Sequence, residues 1–388
     1  MISIISNSTK LLHLSKHTIN SFNKSISGQT VDSLKAEETV CFDKFYPTIL
    51  QHLTRDIGNN NNNNELIAAN EWIRRVIDYN VPHGKRNRGL MCVLSYRLLV
   101  SADDYKSSAN LDAVRALGWA LELFQTYFLI IDDIMDNSRT RRGRTCWHCL
   151  PNVGLIACND AALVESGIYQ LIKQYFKGKP YYMDIVELVH EIFRKTAYGQ
   201  CLDLLSTSPY VDDRQSDLNS YTIDRYSTIV KYKTAYYTFV LPVRLAMYIT
   251  GHNNPSDHQI VENILLMIGH VFQVQDDYLD CFGDPSITGK VGTDIQDRKC
   301  CWLIVRALEL CNDRQRQLLQ TQYGLKSDKS VKQIKQIYHD LNLVKEFRDY
   351  ETHCLLEIKD AINRCKYKLT VPETLFAEPL AQIYKRNK

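Results

Sequence analysis

Two segments of the chain, VRALGWALELFQTYFLIIDDIMD (114–136) and IVENILLMIGHVFQVQDDYLD (260–280), are apolar around most of a helix and end in the same pattern, Asp-Asp-x-x-Asp. A helix that is hydrophobic on nearly every side must be enclosed by other elements. A chain of 388 residues, 45% of them hydrophobic, is long and oily enough to enclose both. Proline is sparse at 10 and glycine modest at 16, so long uninterrupted helices are permitted. Apolar spacings of three and four recur over 66–79, 155–177, 183–206, 221–250, 302–322 and 331–348. No alternating stretch is long enough to build a sheet, and no internal repeat is visible. The expectation is one all-α bundle of roughly ten helices, spanning 37–388 after an N-terminal extension of residues 1–36.

The net charge of +3 gives no reason to expect nucleic acid as a partner. No run of eighteen apolar residues is free of charge or strong polarity, so no transmembrane segment is indicated. The twelve cysteines are scattered without disulfide spacing and read as reduced thiols. CWHC (146–149) is formally a CxxC, but no second ligand pair accompanies it, and it is assigned no chemistry. The first 31 residues hold seven serines, three lysines and no acid. That composition suits a mitochondrial presequence, although arginine is missing, or a disordered tail; targeting is preferred, leaving the compartment mitochondrial or cytoplasmic. GNNNNNNE (58–65) reads as a polar loop without function.

The aspartates need a reason. On a helix Asp132 and Asp136 stack one turn apart, with Asp133 about 100° round, and Asp276, Asp280 and Asp277 repeat the arrangement. All six stand near helix C-termini, where the macrodipole disfavours anions. Folding does not reward like charges there, and a bound cation does. Carboxylates without histidine or thiolate partners suit a hard divalent ion such as magnesium, which typically binds one or two carboxylates plus substrate phosphates. One such pattern reads as an exposed acidic helix end. Two, on two central helices about 140 residues apart, read as metal sites.

Arginine follows the first pattern in NSRTRRGR, and paired guanidinium groups bind phosphate through forked donors. Basic residues also occupy turn-like settings in HGKRNRG (83–89) and GDPSITGKVGTDIQDRK (283–299). Beside two magnesium-type clusters, these loops describe a site for diphosphate groups.

In GKRNRG, LELFQTYFLIIDDIMDNSRTRRG, YGQCLDLL, IVKYKTAYYTF, FQVQDDYLDCFGDPSITGKVGTDIQDRK and the C-terminal IYKRNK, the chain resembles the farnesyl diphosphate synthases of the trans-prenyltransferase family, from about residue 40 to the end. The resemblance implies an all-helical isoprenoid synthase fold around a deep central cavity, usually a homodimer. It implies about three magnesium ions per site, with Asp132, Asp136 and Asp276 at ligand positions and Asp133, Asp277 and Asp280 completing the motifs. It places Arg141, Lys233 and Lys290 on the allylic diphosphate, with Thr234, Gln273 and Lys299 beside them, and Lys85, Arg88, Gln125 and Arg142 on isopentenyl diphosphate. Lys233, Thr234, Gln273 and Arg141 are then the catalytic group, and Tyr237, the Thr234 hydroxyl and the Lys233 carbonyl are neighbours of the carbocation. Tyr127 and Phe128, about 7.5 and 6 Å below Asp132 along the helix, are expected to stop chain growth at a short product.

Three positions depart from the family pattern: His83 replaces a usual glycine, Arg86 a frequent aromatic, and Asn387 interrupts the basic tail. All three lie on the isopentenyl side. The activity expected is magnesium-dependent condensation of isopentenyl diphosphate with dimethylallyl and geranyl diphosphate to give farnesyl diphosphate. The alternatives are a terpene synthase on the same scaffold or a geranyl diphosphate synthase. The complete second-substrate set favours condensation over a terpene synthase, and two intact aspartate clusters argue against a catalytically silent subunit.

Overall fold

The computed structural model describes residues 31–55, 65–100, 108–207, 217–284, 292–365 and 367–384. Residues 1–30 of the presequence reading, the asparagine run, Lys290 and the terminal KRNK lie outside the described residues. In chain order the helices are α1 (Val31–Arg55), α2 (Glu65–Asn80), α3 (Asn87–Leu99), α4 (Ser108–Met135), α5 (Ile156–Phe176) and α6 (Tyr182–Thr207). A continuous rod follows, made of α7 (Ile223–Val230), a π-helical segment (Lys231–Val240) and α8 (Leu241–Ile249). Then come α9 (Pro255–Phe282), α10 (Trp302–Leu310), α11 (Asp313–Gln322), α12 (Asp328–Asp340), α13 (Leu343–Cys365) and α14 (Ala377–Tyr384). Counting the rod as one, these are thirteen helices among the described residues. The only sheet among them is a hairpin of β1 (Thr140–Arg141) and β2 (Arg144–Thr145).

The all-α expectation holds, and three boundaries differ. The 302–322 periodicity breaks between α10 and α11 because Asn312 forms a capping box with Gln315, which satisfies the free N–H groups of a new helix start. The 331–348 periodicity runs across two helices separated at Asn342, whose φ of 55° is left-handed. Val31 and Leu34 are already buried in α1, so the folded part begins inside the stretch assigned to the extension.

The two apolar segments are the centre of the molecule. The Asn110–Met135 stretch of α4 is long and apolar enough to cross a membrane, yet here it is enclosed by α1, α3 and α5. α9 runs through two hydrophobic clusters, with Val271 in the first and Val274 in the second.

Between α6 and α9 lies the π segment, and two glycines let it approach both. A Cβ on Gly199 of α6 would fall 2.1 Å from the Lys233 backbone nitrogen, and one on Gly269 of α9 would fall 2.4 Å from Ala235 Cβ. The widened helix turn is therefore pressed between two backbones at Lys233 and Ala235. π turns inside α-helices are frequent at functional sites.

Candidate active site

α4 ends with a Schellman-type cap: Asn137 is left-handed at φ 52°, its N–H bonds the Ile134 carbonyl, and the Ser138 N–H reaches back to Asp133. This cap stops the helix at the aspartates and turns the chain into the arginine hairpin. Asp132 then stands among three donors. Its Oδ1 accepts from Gln200 at 2.9 Å and from Lys233 Nζ at 3.2 Å, and its Oδ2 from Arg141 at 3.3 Å. One turn on, Asp136 accepts from Lys299 Nζ at 2.9 and 3.1 Å.

A further carboxylate, Asp203 of α6, joins the two lysines: its Oδ2 accepts from Lys233 at 2.6 Å and Lys299 at 3.0 Å. Burial alone would raise these acids. At Asp203 the two ammonium groups outweigh it and hold the carboxyl well below its ordinary range, and at Asp132 Lys233, Lys299 and Arg141 outweigh burial and lower the carboxyl. At Asp136 burial prevails over Lys299, and that carboxyl lies above its usual value. Burial opposes the charge on both lysines too, but the surrounding carboxylates keep them protonated.

The middle members of the motifs are engaged inside the protein. Buried Asp133 accepts two bonds from Arg141, at 2.6 and 2.9 Å, so Arg141 spans Asp132 and Asp133. Buried Asp277 accepts from Gln273 at 2.8 Å and from the Trp302 N–H at the start of α10 at 2.8 Å, and burial pushes its carboxyl up to about 7. Asp276 and Asp280 are half-buried one turn apart, and Asp280 accepts the Asp294 N–H at 3.0 Å. Neighbouring residues of the π segment thus serve both motifs. Lys233 reaches the first, while Thr234 donates to Gln273 at 2.9 Å and so reaches the second.

Basic groups stand on the other flank. Arg88, near the start of α3, donates to the hydroxyls of Tyr237 (2.9 Å) and Thr238 (2.8 Å). Arg142, left-handed at the hairpin tip with φ 54°, donates to the His83 carbonyl beside Gly84. Burial lowers its pKa, opposed by the Glu122 carboxylate and aided by the nearby cations Arg88 and Arg141. Lys85 is exposed in the turn before α3, and Gln125 is half-buried on α4 two turns before Asp132.

Below the aspartates is an aromatic wall. Tyr127 and Phe128 meet at 5.0 Å between ring centres, each lies 4.9 Å from Phe193 of α6, and Phe124 stacks on Tyr237 at 5.7 Å. Sequence reasoning missed Asp203, Gln200 and Phe193. The first two lie within YGQCLDLL, three apart and hence on one face of a helix; that spacing was the available signal. Phe193 carried none.

The polyprenyl synthetase family model matches residues 70–341, from within α2 to just past α12, and so takes in both motifs, the hairpin and the π segment. The chain belongs to the polyprenyl synthetase family. Among its relatives in that family, a farnesyl pyrophosphate synthase of Artemisia annua is 45% identical over 320 residues, covering 82% of this chain and 91% of the relative. One from Gallus gallus is 43% identical over 348 residues, covering 89% and 92%. Among solved structures, a T. brucei farnesyl diphosphate synthase complexed with risedronate superposes with a TM-score of 0.81 at 30% identity, over 90% of this chain and 99% of the other.

Proposed function

We propose that the protein condenses isopentenyl diphosphate head-to-tail with dimethylallyl diphosphate and then with geranyl diphosphate, giving farnesyl diphosphate, with magnesium as its metal. The observation that carries this reading is the first aspartate motif set inside a ring of Arg141, Lys233 and Lys299, with Arg88 and Arg142 gathered on its flank.

Asp132, Asp136, Asp276 and Asp280 are the residues that would hold magnesium, about three ions in all, while Asp133 and Asp277 brace them from inside. The donors are carboxylate oxygens, which suit a hard cation. Among the described residues no three such groups already converge on one point, so the shells are completed by water and substrate diphosphate, as magnesium prefers. When bound, magnesium supplies neutralisation of the charge that builds on a leaving diphosphate.

The side chains do the rest. Arg141, Lys233 and Lys299 are fixed cations aimed at the allylic diphosphate, and Lys290 is proposed to join them on it, so its carbon–oxygen bond can ionise. Lys85, Arg88, Gln125 and Arg142 hold isopentenyl diphosphate with its double bond toward the allylic carbon. Tyr237 and Thr234 face the cation, and the Phe124–Phe128 wall keeps out water that would quench it. The double bond attacks the cation, and the departed diphosphate takes the proton then lost. No nucleophilic side chain is required. The working unit is a homodimer, for which exposed Leu155 and Ile156 at the start of α5 offer apolar surface.

The test is purified protein with magnesium, isopentenyl diphosphate and each allylic primer, the products dephosphorylated and weighed. Farnesol supports the proposal. Geraniol alone from dimethylallyl diphosphate would make the enzyme a geranyl synthase, and hydrocarbon from farnesyl diphosphate alone a terpene synthase. In the same assay Asp132→Ala is expected to lower turnover by roughly three orders of magnitude, a barrier change of about 4 kcal/mol. Near-normal turnover in that variant would remove the metal assignment.

A further inference from the structure

The hairpin that carries Arg141 and Arg142 pairs only Thr140 with Thr145 and Arg141 with Arg144, too little ladder to hold a shape in water. Its shape is set from behind. The Cys146 N–H bonds the Arg139 carbonyl at 2.9 Å and closes the base of the hairpin. The chain then enters the short 3₁₀ turn Trp147–Cys149, whose Trp147 is 2% exposed. Trp147 Nε1 donates to Asp160 Oδ2 at 2.8 Å, and Trp72 Nε1 of α2 donates to Asp160 Oδ1 at 2.8 Å. Asp160, in α5, is fully buried.

We infer that Asp160, acting through Trp147, is a positioning residue for the two hairpin arginines, an inference that rests on the diphosphate reading of Arg141 and Arg142. An enclosed carboxylate is costly unless its oxygens are satisfied, and two indole N–H groups satisfy one oxygen each. Arg75 lies 5.3 Å over the Trp72 ring and 5.6 Å over the Trp147 ring, placing positive charge on the indoles that hold the acid. Only a two-acceptor fork fits this place; an amide offers one acceptor and sets a donor against the second indole. The two indoles differ in what they hold. Trp72 belongs to a long helix that keeps its own shape, whereas Trp147 is five residues from Arg142 and anchors the hairpin base. α2 adds a second strut: the Tyr79 hydroxyl donates to the Thr145 carbonyl at 2.7 Å, and Arg144 donates to the Tyr79 carbonyl at 3.1 Å.

The experiment compares Trp147→Phe with Trp72→Phe in the full chain, each removing one N–H from the same carboxylate and the same amount of ring. Trypsin cleaves after arginine, so cleavage after Arg139, Arg141, Arg142 and Arg144 under native conditions reports hairpin order without reference to activity. Calorimetry with inorganic diphosphate and magnesium reports the grip. Trp147→Phe is expected to speed hairpin cleavage and to weaken diphosphate binding, each about tenfold, the scale of one lost bond to a charged group. Trp72→Phe is expected to change either by less than about twofold, with thermal stability lowered alike in both. Asp160→Asn, which keeps the volume, is expected to follow Trp147→Phe. Equal effects of the two tryptophan variants, or faster cleavage with unchanged diphosphate affinity, overturn the inference. Failure of the wild type to bind diphosphate would instead sink the functional reading, and the cleavage contrast would still decide whether Asp160 holds the hairpin.

Discussion

The Arg88 guanidinium lies 4.4 Å over the Tyr237 ring while donating to the Tyr237 and Thr238 hydroxyls. It is thus held in place before any substrate arrives, and its ordering cost is met on folding rather than on binding. A fixed cation on one flank should serve one substrate. Arg88→Ala is expected to raise the KM for isopentenyl diphosphate roughly ten- to a hundredfold and that for the allylic partner by less than about threefold, since a lost bond to a charged group costs about 1.5–3 kcal/mol. Steady-state kinetics with each substrate varied in turn decides it, and equal rises refute a two-pocket layout. Asp203 marks how far single residues can be read without coordinates. Asp132 and Asp136 announce themselves because like charges are stacked at a helix end, an arrangement visible in spacing. Asp203 is one acid on an ordinary amphipathic helix, and its meaning comes from Lys233 and Lys299, 30 and 96 residues away. No local pattern encodes that meeting.

At the scale of elements, the rod 223–249 has helical periodicity throughout, so its existence was legible, but the π register over Lys231–Val240 was not. That register depends on Gly199 and Gly269 admitting the backbone from either side. Their lack of a side chain matters only once α6 and α9 are known to face the rod. Gly199→Ala puts a methyl into backbone 2.1 Å away, where no flexible side chain can yield. Overpacking of this kind costs about 1–3 kcal/mol, and the shift falls on Lys233 itself. Thermal unfolding and kinetics are expected to show a lower Tm together with a loss of turnover above tenfold; a drop in Tm with turnover intact would separate the π segment from the chemistry. The aromatic wall makes the second test. Phe128 packs on Tyr127, Phe193 and Phe124 from two helices, so Phe128→Ala opens space below Asp132. A chain anchored at the aspartates would then grow further, and mass analysis should find products of about twenty carbons or more. Product still ending at fifteen carbons would place the floor elsewhere.

Over the whole molecule, α9 and α13 each contribute to both hydrophobic clusters, and His270 of α9 packs on aromatic rings of the second. Its ring is 5.8 Å from Tyr226 of α7 and 6.1 Å from Tyr350 of α13, and its Nε2 pairs with the Tyr350 hydroxyl at 2.9 Å. Burial lowers its pKa to about 4, from an ordinary value of 6.5. The folded state therefore holds the ring neutral where the unfolded chain protonates it. Between those two values the unfolded state binds more protons, so stability rises with pH across the window. The contribution is complete above about 6.5 and is lost as the pH falls through about 4. The full shift corresponds to on the order of 3 kcal/mol at most. His270→Gln keeps a hydrogen-bonding group beside Tyr350 but cannot titrate. Urea unfolding at a series of pH values from about 7 down to 4 is expected to show wild type losing up to that amount more than the variant, with the two curves parallel above pH 6.5. Carboxylates elsewhere titrate in both proteins and cancel in the difference. Parallel curves over the entire range would mean that His270 is protonated in the folded protein as readily as in the unfolded chain, and that its ring is open to water.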